Sequence, residues 1–180
     1  MYQRYALLLG GTMLLLAACG GGTARVECPV DMTPVERFSL CLADGFHQTT
    51  EIFGEAGSFV VSIEAATGTG TLMQIHVKKD PLQDAVISSI EFSERAIAIT
   101  RERAPNYKVV STDSIMVGNR ETLLHVFDAS DTAESEPVRY YQFVTTNEGI
   151  AYGFTAIISP NVDEDTREVL IGILKSVNFE

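Results

Sequence analysis

The segment from Lys108 to Ser159 constrains the fold more than any other part of the chain. Two nine-residue runs, Val109 to Val117 and Arg120 to Asp128, flank Gly118-Asn119, a pair suited to the positive-φ positions of a two-residue hairpin. A second apolar pair, Val138 to Thr146 and Ile150 to Ile158, is separated by Asn147-Glu148-Gly149, and the acidic loop Ala129 to Pro137 joins the two pairs. A parallel crossover needs a dozen or more residues, usually a helix, and no connection here can hold one. Four strands must therefore run up and down as one antiparallel meander.

The flanking segments carry weaker but readable periods. Phe38, Leu40 and Leu42 alternate with polar neighbours, as do Phe59, Val61 and Ile63, and after Gly68 and Gly70 so do Met73, Ile75 and Val77. From Pro81 to Arg103 there is no Gly or Pro, and Val86, Ile90, Ser93 and Ile97 fall on one helical stripe, which predicts a long helix stopped by Pro105 and Asn106. A second helix is expected after Pro160, with Asp163, Glu164 and Asp165 at the positive end of its dipole and Val169, Leu170, Ile173, Leu174 and Val177 on its apolar face. The order β-β-β-α-β-β-β-β-α places the chain in the α+β class: an antiparallel sheet of six or seven strands flanked by two main helices.

The first nineteen residues are an address. Arg4 precedes an apolar stretch from Ala6 to Leu16 that ends at Gly20-Gly21-Gly22, an export signal and too short for a spanning helix. Leu16-Ala17-Ala18-Cys19 resembles the lipobox of bacterial lipoproteins, which implies cleavage before Cys19 and a diacylglycerol on its sulfur. The alternative is an ordinary secretory signal in which Cys19 is incidental. Gly20 stands where Asp retains lipoproteins at the inner membrane, so the resemblance implies the outer membrane's periplasmic face. Residues 1–18 are then signal peptide, 19–35 a lipidated tether and N-terminal segment, and 36–180 the folded domain. Removal of the signal takes Arg4 alone among charged side chains and leaves 24 acidic against 12 basic, a net of −12. Such a balance disfavours nucleic acid and any electrostatic grip on an anionic membrane.

With Cys19 carrying lipid, Cys28 and Cys41 remain as a pair in an oxidising compartment. A disulfide between them would constrain the unfolded chain by ~3 kcal/mol in the chain-entropy model and pin the N-terminal segment to the first strand. Two reduced buried thiols, or a metal site completed by His47, are the competing readings.

The order of elements, with "LCLADGFHQ", "ETLLHVFDA", "VRYYQFVTTNEGIAYGFTAII" and "DEDTREVLIGILKSVNF", resembles the Mog1/PsbP-like superfamily, and within it small bacterial lipoproteins of the DcrB and LpqN kind. The resemblance covers roughly residues 36–179. It implies an antiparallel sheet flanked by helices and an accessory or partner-binding role without shared catalytic residues.

Candidate chemistry is sparse. His76 and His125 each lie within a strand and could meet across a sheet to bind metal or sense pH, although two ligands alone make no metal site. No G-x-S-x-G elbow marks a nucleophile, no Gly-rich loop opens a helix, and Asp128, Asp131, Glu134 and Glu136 lack the order of a calcium loop. Tyr140 and Tyr141 must face opposite sides of the sheet, one set in the core and the other available to a partner. The expectation is a non-catalytic, membrane-tethered envelope protein that binds another envelope protein, with no cofactor, metal or nucleic acid. The alternative is a small periplasmic hydrolase or ligand carrier using a site near His76 and His125.

Overall fold

The computed structural model describes residues 33–35, 38–51, 58–82 and 87–179. Twelve elements follow in order: β1 (Thr33–Val35), β2 (Phe38–Leu40), β3 (Phe46–Glu51), β4 (Ser58–Ala65), β5 (Thr71–Pro81), α1 (Ser89–Arg103), β6 (Lys108–Val117), β7 (Arg120–Ala129), β8 (Val138–Asn147), β9 (Ile150–Ile158), α2 (Glu164–Lys175) and β10 (Asn178–Phe179). Seven strands form one antiparallel sheet in the order β3-β4-β5-β9-β8-β7-β6, and β1-β2-β10 form a separate small one. The meander from β6 to β9 is continuous, as the short connections require.

Both hairpins use two-residue loops with left-handed backbone. In the first only Gly118 has positive φ, at 59°, so Asn119 does not share the role that its sequence suggested. In the second, Glu148 and Gly149 both do, at 48° and 76°, and Asn147 instead ends β8 opposite Ile150. A pair of positive φ values matches the twist of the flanking strands.

Two expectations need correction, and one strand was not expected at all. Phe46 to Glu51 form β3, an edge strand that pairs with β4 from Phe46↔Ala65 to Glu51↔Val60. Phe38 to Leu40 lie in the small sheet, where the strand ends before Leu42. The first helix begins at Ser89, because β5 runs on to Pro81, paired with Ile150, and Ser88 caps the helix by accepting from the Glu91 amide at 3.1 Å. Proline suits the end of a strand as well as the start of a helix. Val86 lies outside the described residues.

The two faces of the large sheet differ in what covers them. One carries Val61, Ile63, Met73, Ile75, Val77, Phe143, Phe154 and Ala156, and shares a core with Leu170, Ile173 and Leu174 of α2 and Phe38 and Leu40 of the small sheet. Phe154 sits at the centre, edge-on to Phe38 at 5.1 Å and stacked on Phe143 at 4.8 Å. The other face mixes polar side chains with buried Val60, Phe127 and Val144, and α1 lies over its β7 and β8 portion with hydroxyl contacts: Ser93 with Thr122 at 2.8 Å and with the Val144 carbonyl at 3.2 Å, and Thr100 with Gln142 at 3.4 Å.

Candidate functional site

Register places the two strand histidines in one cross-strand row. His76 opposes Thr155, Thr155 opposes Gln142, and Gln142 opposes His125, so both imidazoles share the face that α1 partly covers. Two strands stand between them. Three strand spacings amount to about 14 Å, too far for one metal ion or one proton relay.

Each histidine has its own surroundings. His125 is 1% exposed, with Nε2 2.7 Å from the Tyr107 hydroxyl and Nδ1 2.7 Å from that of Thr112, and it stacks on Phe127, whose ring in turn stacks on Tyr140. Burial first, and the Arg101 charge second, hold its pKa below the ordinary histidine range. His76 is exposed at the rim of a groove of about 320 Å³ between α1 and the β5–β9 ladder, walled by Phe92 and Ala96 and floored by Ala151 and Gly153. Partial desolvation lowers its pKa too. His47 lies on β3 beside Glu64 at 3.3 Å. Among the described residues no group of three or more His, Cys, Asp or Glu side chains could hold a metal ion.

A larger cleft, of about 720 Å³, opens at the end of the sheet where β5 and β8 begin and β7 and β9 end. That volume lies within the range of small-molecule sites. Met73, Val138, Ile157, Ile158 and Pro160 give it apolar walls, and Asp128, Glu136, Arg139 and Arg167 bring charge. Its polar inner wall is built by neighbouring elements. Asp128 and Arg139 are direct cross-strand partners, bonded through Nε at 2.8 Å and a terminal nitrogen at 3.1 Å. That hydrogen bond leads the causes holding the Asp128 carboxyl below its usual range and raising the Arg139 pKa. From α2, Arg167 reaches Glu164 at 2.6 Å and the Val162 carbonyl at 3.2 Å.

Tyr141, 5% exposed, also lines the cleft. Burial raises its pKa above the ordinary tyrosine value, the Arg167 and Arg139 charges oppose that rise, and Glu164 and Asp128 reinforce it. Two guanidinium groups on different elements thus line one cleft together with this buried tyrosine. The Asp128–Arg139 pair was open to sequence reading: Ala129 and Val138 bound the acidic loop, so the preceding and following residues must oppose each other, with opposite charges. The contribution of Arg167 depends on how α2 packs, which no spacing reveals.

Of the cysteines singled out by the sequence, Cys19 and Cys28 lie outside the described residues. Cys41 is fully buried just after β2, and its amide donates to the Ser176 hydroxyl at 2.9 Å, beside the C-terminal end of α2. Among the described residues no helix is long and apolar enough to cross a membrane.

No family profile matches the chain. No curated protein matches it. Among solved structures, the solution structure of cyanobacterial PsbP (CyanoP) from Synechocystis sp. PCC 6803 superposes with a TM-score of 0.52 at 9% identity, over 92% of this chain and 99% of that one. A protein of unknown function from Pseudomonas aeruginosa gives 0.43 at 12% identity, over 72% of this chain and 83% of the other. A crystal structure from Bacteroides thetaiotaomicron gives 0.43 at 11% identity, over 83% of this chain, which spans only 47% of that chain. The architecture is an α+β, PsbP-like fold. At such identity the likeness establishes the fold and nothing beyond it.

Proposed function

We propose that this chain is a bacterial envelope lipoprotein of the DcrB and LpqN kind, an accessory module that works by binding and not by catalysis. The observation that carries the reading is Leu16-Ala17-Ala18-Cys19 closing an apolar export signal ahead of a folded domain. Lipid on Cys19 tethers the domain to the membrane, on the periplasmic face of the outer membrane as Gly20 suggests. Each buried CH₂ contributes ~0.8 kcal/mol, so two or three acyl chains hold where one does not. The oxidising compartment supports a Cys28–Cys41 disulfide. The cleft at the end of the sheet is where an envelope partner binds, since it combines apolar walls with charge at a scale that fits a ligand or a side-chain anchor. A hydrolase or carrier built on His76 and His125 would require both rings at one point, and they are separated by β9 and β8.

Two measurements test the proposal. Palmitate labelling of the full chain should yield a labelled product, and Cys19→Ser should be unlabelled and released from membranes; an exported product with an unmodified amino terminus overturns the tether. A photo-crosslinking side chain at Val138, on the cleft, should capture one envelope protein that the same group at Ile99 on α1 does not. Equal capture from both positions removes the cleft as the binding surface.

A further inference from the structure

Resting on that reading of the cleft, we infer that its ligand is a carboxylate carried on an apolar stem, gripped by Arg139 and Arg167 with Tyr141 at its base and the stem lying against Met73 and Ile158. Each guanidinium has five donors in a fixed fork. Asp128 takes two from Arg139, Glu164 and the Val162 carbonyl take two from Arg167, and donors remain on both. The existing bonds orient the forks without exhausting them, and a planar carboxylate is what such a fork matches.

The charge distribution supports the same class. Acids outnumber bases 24 to 13 over the whole chain. Among the cleft's lining residues the count is level, Arg139 and Arg167 against Asp128 and Glu136. With Glu164 beside Arg167 the balance is two bases against three acids, still less acidic than the chain as a whole, so a single negative charge meets less repulsion here than the chain's overall balance would impose. A phosphate, with two charges, fits that local balance poorly and would gain little from the apolar walls. The carboxylate has two possible sources, a free aliphatic acid or the C-terminus of a protein chain ending in an apolar residue.

Titration calorimetry on the full-length chain tests this with hexanoate, hexanamide, inorganic phosphate, and an N-acetylated peptide ending in leucine with either a free or an amidated terminus. Hexanoate and the free-terminus peptide should bind at least about tenfold tighter than their neutral amides, and phosphate should not compete. Arg139→Gln and Arg167→Gln should each weaken carboxylate binding by about tenfold or more, while Glu136→Gln, which removes a lining negative charge and leaves both forks in place, should tighten it. Thermal unfolding of the two arginine variants close to wild type guards against a trivial loss of fold, and Arg139→Lys, keeping charge without the fork, should fall between wild type and Arg139→Gln. Preference for the peptide over hexanoate assigns a protein terminus, and the reverse assigns a free acid. Equal affinity for acid and amide, or binding insensitive to both arginines, overturns the carboxylate class. If the Val138 crosslink persists in that case, the cleft still binds a partner and only its chemistry is wrong; if both results fail, the binding reading falls as well.

Discussion

A neutral imidazole offers one donor and one acceptor, and His125 uses both inside the protein, toward the hydroxyls of Tyr107 and Thr112. Either hydroxyl can donate or accept, so the ring is satisfied in whichever tautomer it adopts. Its pKa lies below the ordinary value because burial disfavours the cation and Arg101 repels it. The sign of the pH effect follows. Above about pH 6.5 the ring is neutral in folded and unfolded chains and contributes no pH dependence. As pH falls through that value the unfolded chain takes up a proton that the folded chain resists, so stability declines until pH drops below the folded pKa. Chemical denaturation across this range should show the decline in the wild type and a flatter profile in His125→Phe, whereas His76→Gln, at an exposed site, should keep most of it. A variant at position 125 with the full acid limb would mean that other groups cause it.

The two helices differ in what holds them, and this sets how they should fail. α2 buries Leu170, Ile173 and Leu174 completely, each on the apolar stripe that the sequence displays. α1 fully buries only Ser89 and Ser93. The buried side chains it sets against the sheet are serines held by hydrogen bonds, and a net hydrogen bond contributes about 1 kcal/mol where a buried leucine contributes several. Leu170→Ala should therefore cost about 2–5 kcal/mol, Ser93→Ala about 1–2, and Ile99→Ala on the exposed face less than about 0.5. Hydrogen exchange should show α1 amides opening before those of α2; equal protection would mean that α1 is held by more than these contacts. The same contrast explains which elements were legible. The strands β6 to β9 and α2 announce themselves because apolar residues recur at the right period next to short turns. The start of α1 was obscured by Pro81, which serves equally well at a strand's end, although Ser88-Ser89-Ile90-Glu91 has the serine-to-glutamate spacing of an N-terminal cap. In β3, the run Phe46-His47-Gln48-Thr49-Thr50-Glu51 holds one apolar residue, so no period-two signal exists for an edge strand to show.

At the scale of the whole molecule, the small sheet is where the two ends of the described structure meet. β2 lies between β1, just before it, and β10, the last strand, and Phe179 packs on Phe38, Tyr152 and Phe154. This closure was not legible, because β1 and β10 span three and two residues and carry no period of their own. The candidate cleft was half legible: cross-strand logic pairs Asp128 with Arg139, but Arg167 arrives through the packing of α2 against the sheet. The closure also bears on the proposed Cys28–Cys41 disulfide. Cys41 follows β2 and is tied through its amide to the end of α2, so a bridge there would fasten the segment before β1 to the site where the chain's last elements dock. Thirteen positions of separation make the loop-closure effect ~3 kcal/mol, which for a domain of this size lowers the unfolding midpoint by about 6–12 °C when the bridge is cut. A strong reductant on the wild type and the substitution Cys28→Ala should produce the same loss, and the two should not add, because each removes one covalent link. Full burial of Cys41 further requires local opening before the reductant can act, so the wild type should lose its bridge slowly under native conditions and quickly in mild denaturant. A reductant that leaves the midpoint unchanged, or that lowers Cys28→Ala as far as it lowers the wild type, would show that no bridge joins these cysteines.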